Sequence, residues 1–198
     1  MEQLTLVKFT ILLILSISFY MFFEADYVND VKYIKSAIDN TEYLVRNTTD
    51  SKKAADMLST IRIKLTNVVN DLIQKYPNDV RTKRLKSRFN PYKISESSPT
   101  SQYTSYSVNK GEKIVFCLRS KDDQQLHDIN TITFVALHEL GHLMTESIGH
   151  TQEFWDNFRF ILKNAIQKGH YNFQDFRNKP VRYCGTDITD SPLKTDQL

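Results

Sequence analysis

His138 and His142 stand four residues apart, with Glu139 beside the first, in the run Thr133-Phe134-Val135-Ala136-Leu137-His138-Glu139-Leu140-Gly141-His142-Leu143-Met144. On a helix, residues four apart share a face, so both imidazoles can meet one zinc ion. Glu139 falls about 100° round from His138. There it can hold a water on the metal rather than the metal itself. Zinc hydrolases use three protein ligands and keep a fourth position for water. The candidate third ligand is His150. A straight helix would carry it about 12 Å beyond His142 at 1.5 Å per residue, too far for two imidazoles to share a metal at about 2 Å each. The sequence therefore predicts that the helix ends between His142 and His150. Thr145, Ser147 and β-branched Ile148 weaken it, and Gly149 can take the left-handed conformation that reverses the chain. Glu153 and Asp156 are reserve ligands. The competing readings are a buried helix with two satisfied histidines, and His150 as a helix cap or surface histidine.

The run from Val135 to Trp155 resembles the active-site helix and following turn of the WLM and SprT-like zincin metalloproteases. That group pairs H-E-x-x-H with a third His a short loop later, before an aromatic-bearing helix. Upstream, Tyr103–Ser107, Val108–Gly111 and Glu112–Leu118 resemble the hairpin that precedes the helix there. One departure stands out: His150 follows His142 by eight residues, where the family pattern has a shorter gap. The resemblance implies an α+β, zincin-like fold with a small antiparallel sheet beside the active-site helix. It further implies zinc (Zn2+) held by His138, His142 and His150, and peptide-bond hydrolysis with Glu139 as general base. A protein or peptide substrate would lie extended along a sheet edge, with Glu112–Leu118 the expected strand. Relatives in that group act on proteins crosslinked to DNA, a role that an N-terminal membrane anchor would separate from chromatin.

The rest of the chain must position these residues. Its 198 residues, 40% hydrophobic, suit one ordinary domain and an appendage. The net charge of +3 is mild. The basic run Arg81, Lys83, Arg84, Lys86 and Arg88 could meet phosphate or anionic lipid, but reads first as a solvated linker face. No phosphate loop, aromatic RNA-binding signature or internal repeat is visible, so nucleic acid is not an expected partner. Cys117 and Cys184 lack zinc-ribbon spacing and are either free thiols or one disulfide.

Three segments are expected. Residues 1–26 contain the apolar stretch Leu4–Phe23, about a bilayer core in length. It reads as a single-pass transmembrane anchor in preference to a cleaved signal peptide, with the side of the catalytic domain left open. Asn47-Thr48-Thr49 is a glycosylation acceptor only on the lumenal side. Residues 27–90 read as a helical hairpin. Tyr27, Val31, Ile34 and Ile38 would make one helical face, and Leu58, Ile61, Leu65, Val68 and Leu72 the next, capped at Asp50 or Ser51 and stopped near Tyr76–Asp79. Residues 91–198 form the expected protease domain, with a loop over 90–102.

Past the metal motif, Phe154, Phe158, Ile161, Leu162, Ala165 and Ile166 predict an amphipathic helix ending near Lys168-Gly169, followed by a tail. Trp155 is expected in the core or as a wall of the metal site, and Tyr183 as a packed tyrosine or an oxyanion donor. His127 and His170 have no partner at metal spacing. The sequence thus reads as a membrane-anchored zinc metalloprotease. The alternative is a catalytically silent zinc-binding membrane adaptor, for which the carboxylate of Glu139 has no use.

Overall fold

Leu58, Ile61, Leu65, Val68 and Leu72 are all buried, forming the inward stripe of one long helix. The computed structural model describes the backbone of residues 2–194 and the side chains of residues 6–21 and 30–194. In chain order the elements are α1 (Glu2–Asp30), β1 (Val31–Lys35), β2 (Glu42–Arg46), α2 (Ser51–Lys75), α3 (Val80–Arg88), β3 (Ile94–Glu96) and β4 (Tyr106–Val108). They continue with β5 (Lys113–Phe116), α4 (Ile129–Met144), α5 (Gln152–Gln167), β6 (Val181–Tyr183) and β7 (Thr186–Ile188). The class is α+β, as expected.

The first arm of the expected helical hairpin does not form. Residues 31–46 are a β-hairpin, antiparallel from Val31 opposite Arg46 to Lys35 opposite Glu42. Tyr43 and Val45 point inward while Glu42 points out, a period of two, and Asn40 takes φ 57° in the turn. Asn is among the few residues that tolerate this left-handed region. The helical spacing of Val31, Ile34 and Ile38 is coincidental, since Ile38 is an exposed turn residue. Arg62 of α2 fastens the hairpin, donating to Asp39 at 2.7 Å while Tyr43 donates to the same carboxylate at 2.6 Å. The helix pair in this region is instead α2 and α3, joined through Tyr76–Asp79, with Asp79 capping α3 by accepting from the Arg81 N–H.

The sheet beside the H-E-x-x-H motif is mixed rather than antiparallel. Its order is β3-β5-β4, with β3 parallel and β4 antiparallel to β5. The strand within Glu112–Leu118, expected to offer an edge, is therefore central. The free edge next to the site belongs to β4. β3 lies inside the expected 90–102 loop; its residues Ile94, Ser95 and Glu96 are all buried, so no alternation betrays it. Tyr106–Phe116 does make the expected hairpin, with Asn109, Lys110 and Gly111 all at positive φ in its turn.

One buried cluster draws on both sides of residue 90: Tyr43, Leu58 and Leu72 share it with Phe116, Leu140, Phe158 and Leu193. None of the described side chains of α1 belongs to this core. Leu6, Phe9, Leu12, Leu13, Ile14 and Phe19 are exposed around its whole circumference. Among the described residues no helix is long and apolar enough to cross a membrane. The ends of the expected span, residues 4–5 and 22–23, lie outside the described side chains, and residues 6–21 alone make about 24 Å of helix against a hydrocarbon core of about 30 Å.

Candidate active site

α4 begins where the Asp128 carboxylate accepts from the Thr131 N–H at 2.8 Å. It runs to Met144 and places His138 and His142 on one face. The helix then stops. Thr145 is extended, with its hydroxyl turned back onto the Gly141 carbonyl at 2.7 Å. Gly149 takes φ 83° immediately before His150, and α5 opens at the Thr151 cap. The reversal expected from Gly149 is therefore present, although it lies in the turn rather than at the helix terminus.

The outcome is a cluster. Nε2 of His142 lies 3.1 Å, and Nε2 of His150 3.0 Å, from Nε2 of His138. Tetrahedral zinc with nitrogens at about 2.0–2.1 Å would space them by about 3.3 Å, so the three imidazoles fit such an ion. Burial drives His138 down to about 3 and His142 down to about 4, helped by the neighbouring imidazoles and, for His142, by Lys110. Both are thus held neutral, the form that ligates metal. Glu139 is buried behind them. Desolvation pushes its carboxyl up to about 7 against the opposing hydrogen bonds from Ser107. A carboxyl poised near neutrality can both take and give a proton.

Aromatic rings hold the cluster from below. Phe154 stacks on His142 with centroids 4.3 Å apart and meets His138 edge-on at 4.8 Å. Trp155 stacks on His150 at 5.6 Å, so it does flank the metal-binding face.

The turn carrying His150 is tied by Lys110 and by two arginines of the basic run expected to form a solvated linker face. Arg88 donates to the carbonyls of Leu143 and Thr145 at 3.0 and 2.8 Å, and Arg84 to that of Met144 at 2.8 Å. Lys110 donates to the carbonyls of Thr145 and Ser147 at 3.0 and 2.9 Å. These are orphan acceptors at a helix C-terminus, where cations are favoured. Arg84 and Arg88 of the basic run therefore serve the fold, while Arg81 pairs with Asp79 and lies over Phe160. The only advance signal was the clustering of the charges.

Glu153 and Asp156 are not brought to the cluster. Glu153 accepts from the N–H groups of Glu146 and Ser147 at 2.8 and 3.0 Å. Asp156 pairs with Arg159. His170 pairs with Asp71, and His127 accepts from the Cys184 N–H, both as non-ligands. Tyr183 is buried, with its hydroxyl donating to the Cys117 carbonyl at 2.7 Å and lying 2.8 Å from Ser105 Oγ. That proton is committed to the fold. Cys117 and Cys184 are joined in a disulfide.

In front of the cluster runs an open groove of 590 Å³, walled by Thr104–Ser107 along β4 on one side and Ile148–His150 on the other.

Residues 40–197 match the model of the WLM domain. An uncharacterized protein of Acanthamoeba polyphaga mimivirus is 32% identical over 188 residues, spanning 92% of this chain and 95% of that protein. Uncharacterized proteins of Invertebrate iridescent viruses 6 and 3 are 36% and 39% identical, over 40% and 42% of this chain and 44% and 49% of their own lengths. The crystal structure of Wss1 from Saccharomyces cerevisiae aligns with a TM-score of 0.47 at 19% identity, covering 63% of this chain and 88% of that one.

Proposed function

The chain belongs to the WLM family, and we propose that it is a zinc-dependent peptidase whose metal is held by His138, His142 and His150. The observation that carries this reading is the convergence of three imidazole nitrogens beside a buried carboxyl. When bound, zinc supplies Lewis acidity to the attacking water and the scissile carbonyl. The chain's own residues do the rest. The free edge of β4 takes an extended peptide as an added strand, using its unpaired backbone groups. Glu139 accepts the proton of the attacking water and returns it to the leaving amine. Ser107, bonded to Glu139, sets the direction in which that carboxyl points. Phe154 and Trp155 exclude water from the rear of the imidazoles and fix their ring planes.

Metal analysis and cleavage assays on one preparation test the proposal. We expect about one zinc per chain, absent in His138→Ala and His142→Ala and weakened in His150→Ala. Glu139→Gln should keep the metal and lose about 10²–10⁴-fold in cleavage rate. A zinc-loaded wild-type protein no more active than Glu139→Gln across a broad substrate panel would favour the silent adaptor.

Membrane attachment through residues 4–23 is a second part of the proposal. The apolar side chains exposed along α1 from Leu6 to Ile17 suit a lipid environment. The Cys117–Cys184 disulfide further supports a catalytic domain on the oxidising side. Full-length protein should stay with membranes through alkaline carbonate and carry sugar on Asn47. Release by carbonate, or a mature chain lacking residues 1–23, would remove the anchor from the proposal.

A further inference from the structure

The Cys117–Cys184 disulfide joins the end of the central sheet to a hairpin that pairs with no other strand. Cys184 and Gly185 form the two-residue turn between β6 and β7. A two-stranded hairpin is marginal by itself. Cys184 also takes φ 49°, a backbone conformation that a residue with a Cβ rarely adopts. The placement of this hairpin therefore leans on the covalent bond and on Tyr183.

The surroundings of the two sulfurs suit thiols as well as a disulfide. Disulfide sulfurs have no proton to give, yet acceptors face both of them. The Arg119 carbonyl oxygen lies 3.2 Å from Cys117 Sγ and 3.3 Å from Cys184 Sγ. Nε2 of His127 lies 3.4 Å from Cys184 Sγ. Burial lowers the pKa of His127, which keeps its ring neutral and able to accept. Two buried S–H groups without partners would penalise the reduced state. Here each finds an acceptor in place.

The bond also reaches the groove. Tyr183 donates to the Cys117 carbonyl at 2.7 Å and lies 2.8 Å from Ser105 Oγ, which accepts from the Cys117 N–H at 3.1 Å. Ser105 leads into β4, whose Ser107 is bonded to Glu139. Thr186 and Ile188 of the hairpin line the space beside Glu139. Freeing the hairpin thus loosens the β4 edge and one flank of the carboxyl together.

We propose that Cys117–Cys184 is a redox switch: small thiols of the glutathione class reduce it, and reduction loosens the β4 edge and slows cleavage. The effect on cleavage rests on the peptidase reading above, whereas the structural response does not. Both sulfurs are buried, so attack follows opening of the turn beside exposed Gly185 and Thr186. A reductant thiolate attacks Cys184 Sγ, and Cys117 leaves as a thiolate that takes a proton from water. A second reductant thiolate attacks the first reductant's sulfur in the mixed disulfide, and Cys184 leaves and is protonated. Two electrons pass to the protein, and the reductant departs as its own disulfide.

The test equilibrates the zinc-loaded full-length protein in buffers of reduced and oxidised glutathione. Thiols are counted by alkylation and mass, and zinc content, amide hydrogen exchange and cleavage of an unfolded protein substrate are read on the same samples. Excess reduced glutathione should open the bond with zinc retained. Exchange over residues 104–108 and 181–188 should quicken about tenfold or more, and cleavage should slow about ten- to a hundredfold. Oxidised glutathione should reverse all three. Tyr183→Phe keeps the ring and removes the hydroxyl tie, so residues 181–188 should still respond while 104–108 respond less. A bond that survives excess reduced glutathione, or reduction that unfolds the protein or releases zinc, would overturn the switch. So would exchange at 104–108 that is the same in both states. Reversible exchange without cleavage in either state would keep the switch and sink the peptidase reading. Equal cleavage in both states would sink the switch and leave the peptidase.

Discussion

Gly141, the second of the two unassigned positions of the H-E-x-x-H motif, is where packing meets chemistry. A Cβ there would stand 3.0 Å from Phe154 Cε2 and 3.3 Å from Phe158 Cβ, both on α5. The glycine lets α5 approach closely enough for Phe154 to stack beneath His142. Gly141→Ala gains about 1 kcal/mol in helix propensity but forces α5 outward. We expect net destabilisation of about 1–3 kcal/mol in urea unfolding, with looser zinc binding because the ring supporting two ligands moves. A more stable variant with unchanged zinc affinity would show that α5 yields without cost. The three histidines and Glu139 of the proposed site were readable as a group from the sequence because they share one helical turn and one loop. The reason for this glycine was not, because its neighbours Phe154 and Phe158 come from another element.

The turn between α4 and α5 is built by borrowed charges, and its stability sets where His150 sits. Removing Arg88 takes the side-chain donor from the Leu143 carbonyl and leaves that of Thr145 to Lys110; Arg88→Ala should cost about 1–3 kcal/mol. It should also weaken zinc binding by about tenfold or more, as loss of supporting hydrogen bonds does at metal sites. Competition with a zinc chelator would read this, and unchanged affinity would mean that the turn holds itself. Glu153 adds a pH dependence. The N–H groups of Glu146 and Ser147, with Arg84 beside them, hold its carboxyl down to about 2. A depressed carboxylate stabilises the fold above its ordinary pKa, and that contribution is lost as pH falls from about 4.5 towards 2. Metal-free wild type should therefore lose more thermal stability over that range than Glu153→Gln, whose curve lacks this step. At this scale the helices were legible. α2 and α5 each carry a long apolar stripe at helical spacing, and Thr145 and Gly149 marked the break after α4. Among the short strands only the β4–β5 hairpin was legible, through the resemblance. β1 mimicked a helical period, β3 is buried on both faces, and the β6–β7 hairpin turns on Cys184-Gly185, both at positive φ, in place of the usual Asn-Gly. Residues 180–192 consequently read as a tail.

The whole molecule is closed by one covalent tie between the end of the central sheet and the C-terminal hairpin. Cys117 and Cys184 are 67 residues apart in sequence. By loop-closure entropy a ring of that size stabilises by about 4 kcal/mol. Cys117→Ser with Cys184→Ser should lower the urea midpoint accordingly, and it should disturb the packing of Tyr183 and Ile188 more than the three imidazoles, since both ride on the freed hairpin. An unchanged midpoint would show that Tyr183 and its partners hold the hairpin unaided. The ring has a further property. It encloses α4, the exposed turn with Ile148 at its tip, and α5, so that all three imidazoles belong to one closed circuit of chain. A nick anywhere from Leu118 to Tyr183, whether made by a neighbouring protease or by a sister copy, severs the backbone without releasing a fragment. Such a molecule would migrate at full length on a non-reducing gel and fall into two pieces only when the thiols are restored.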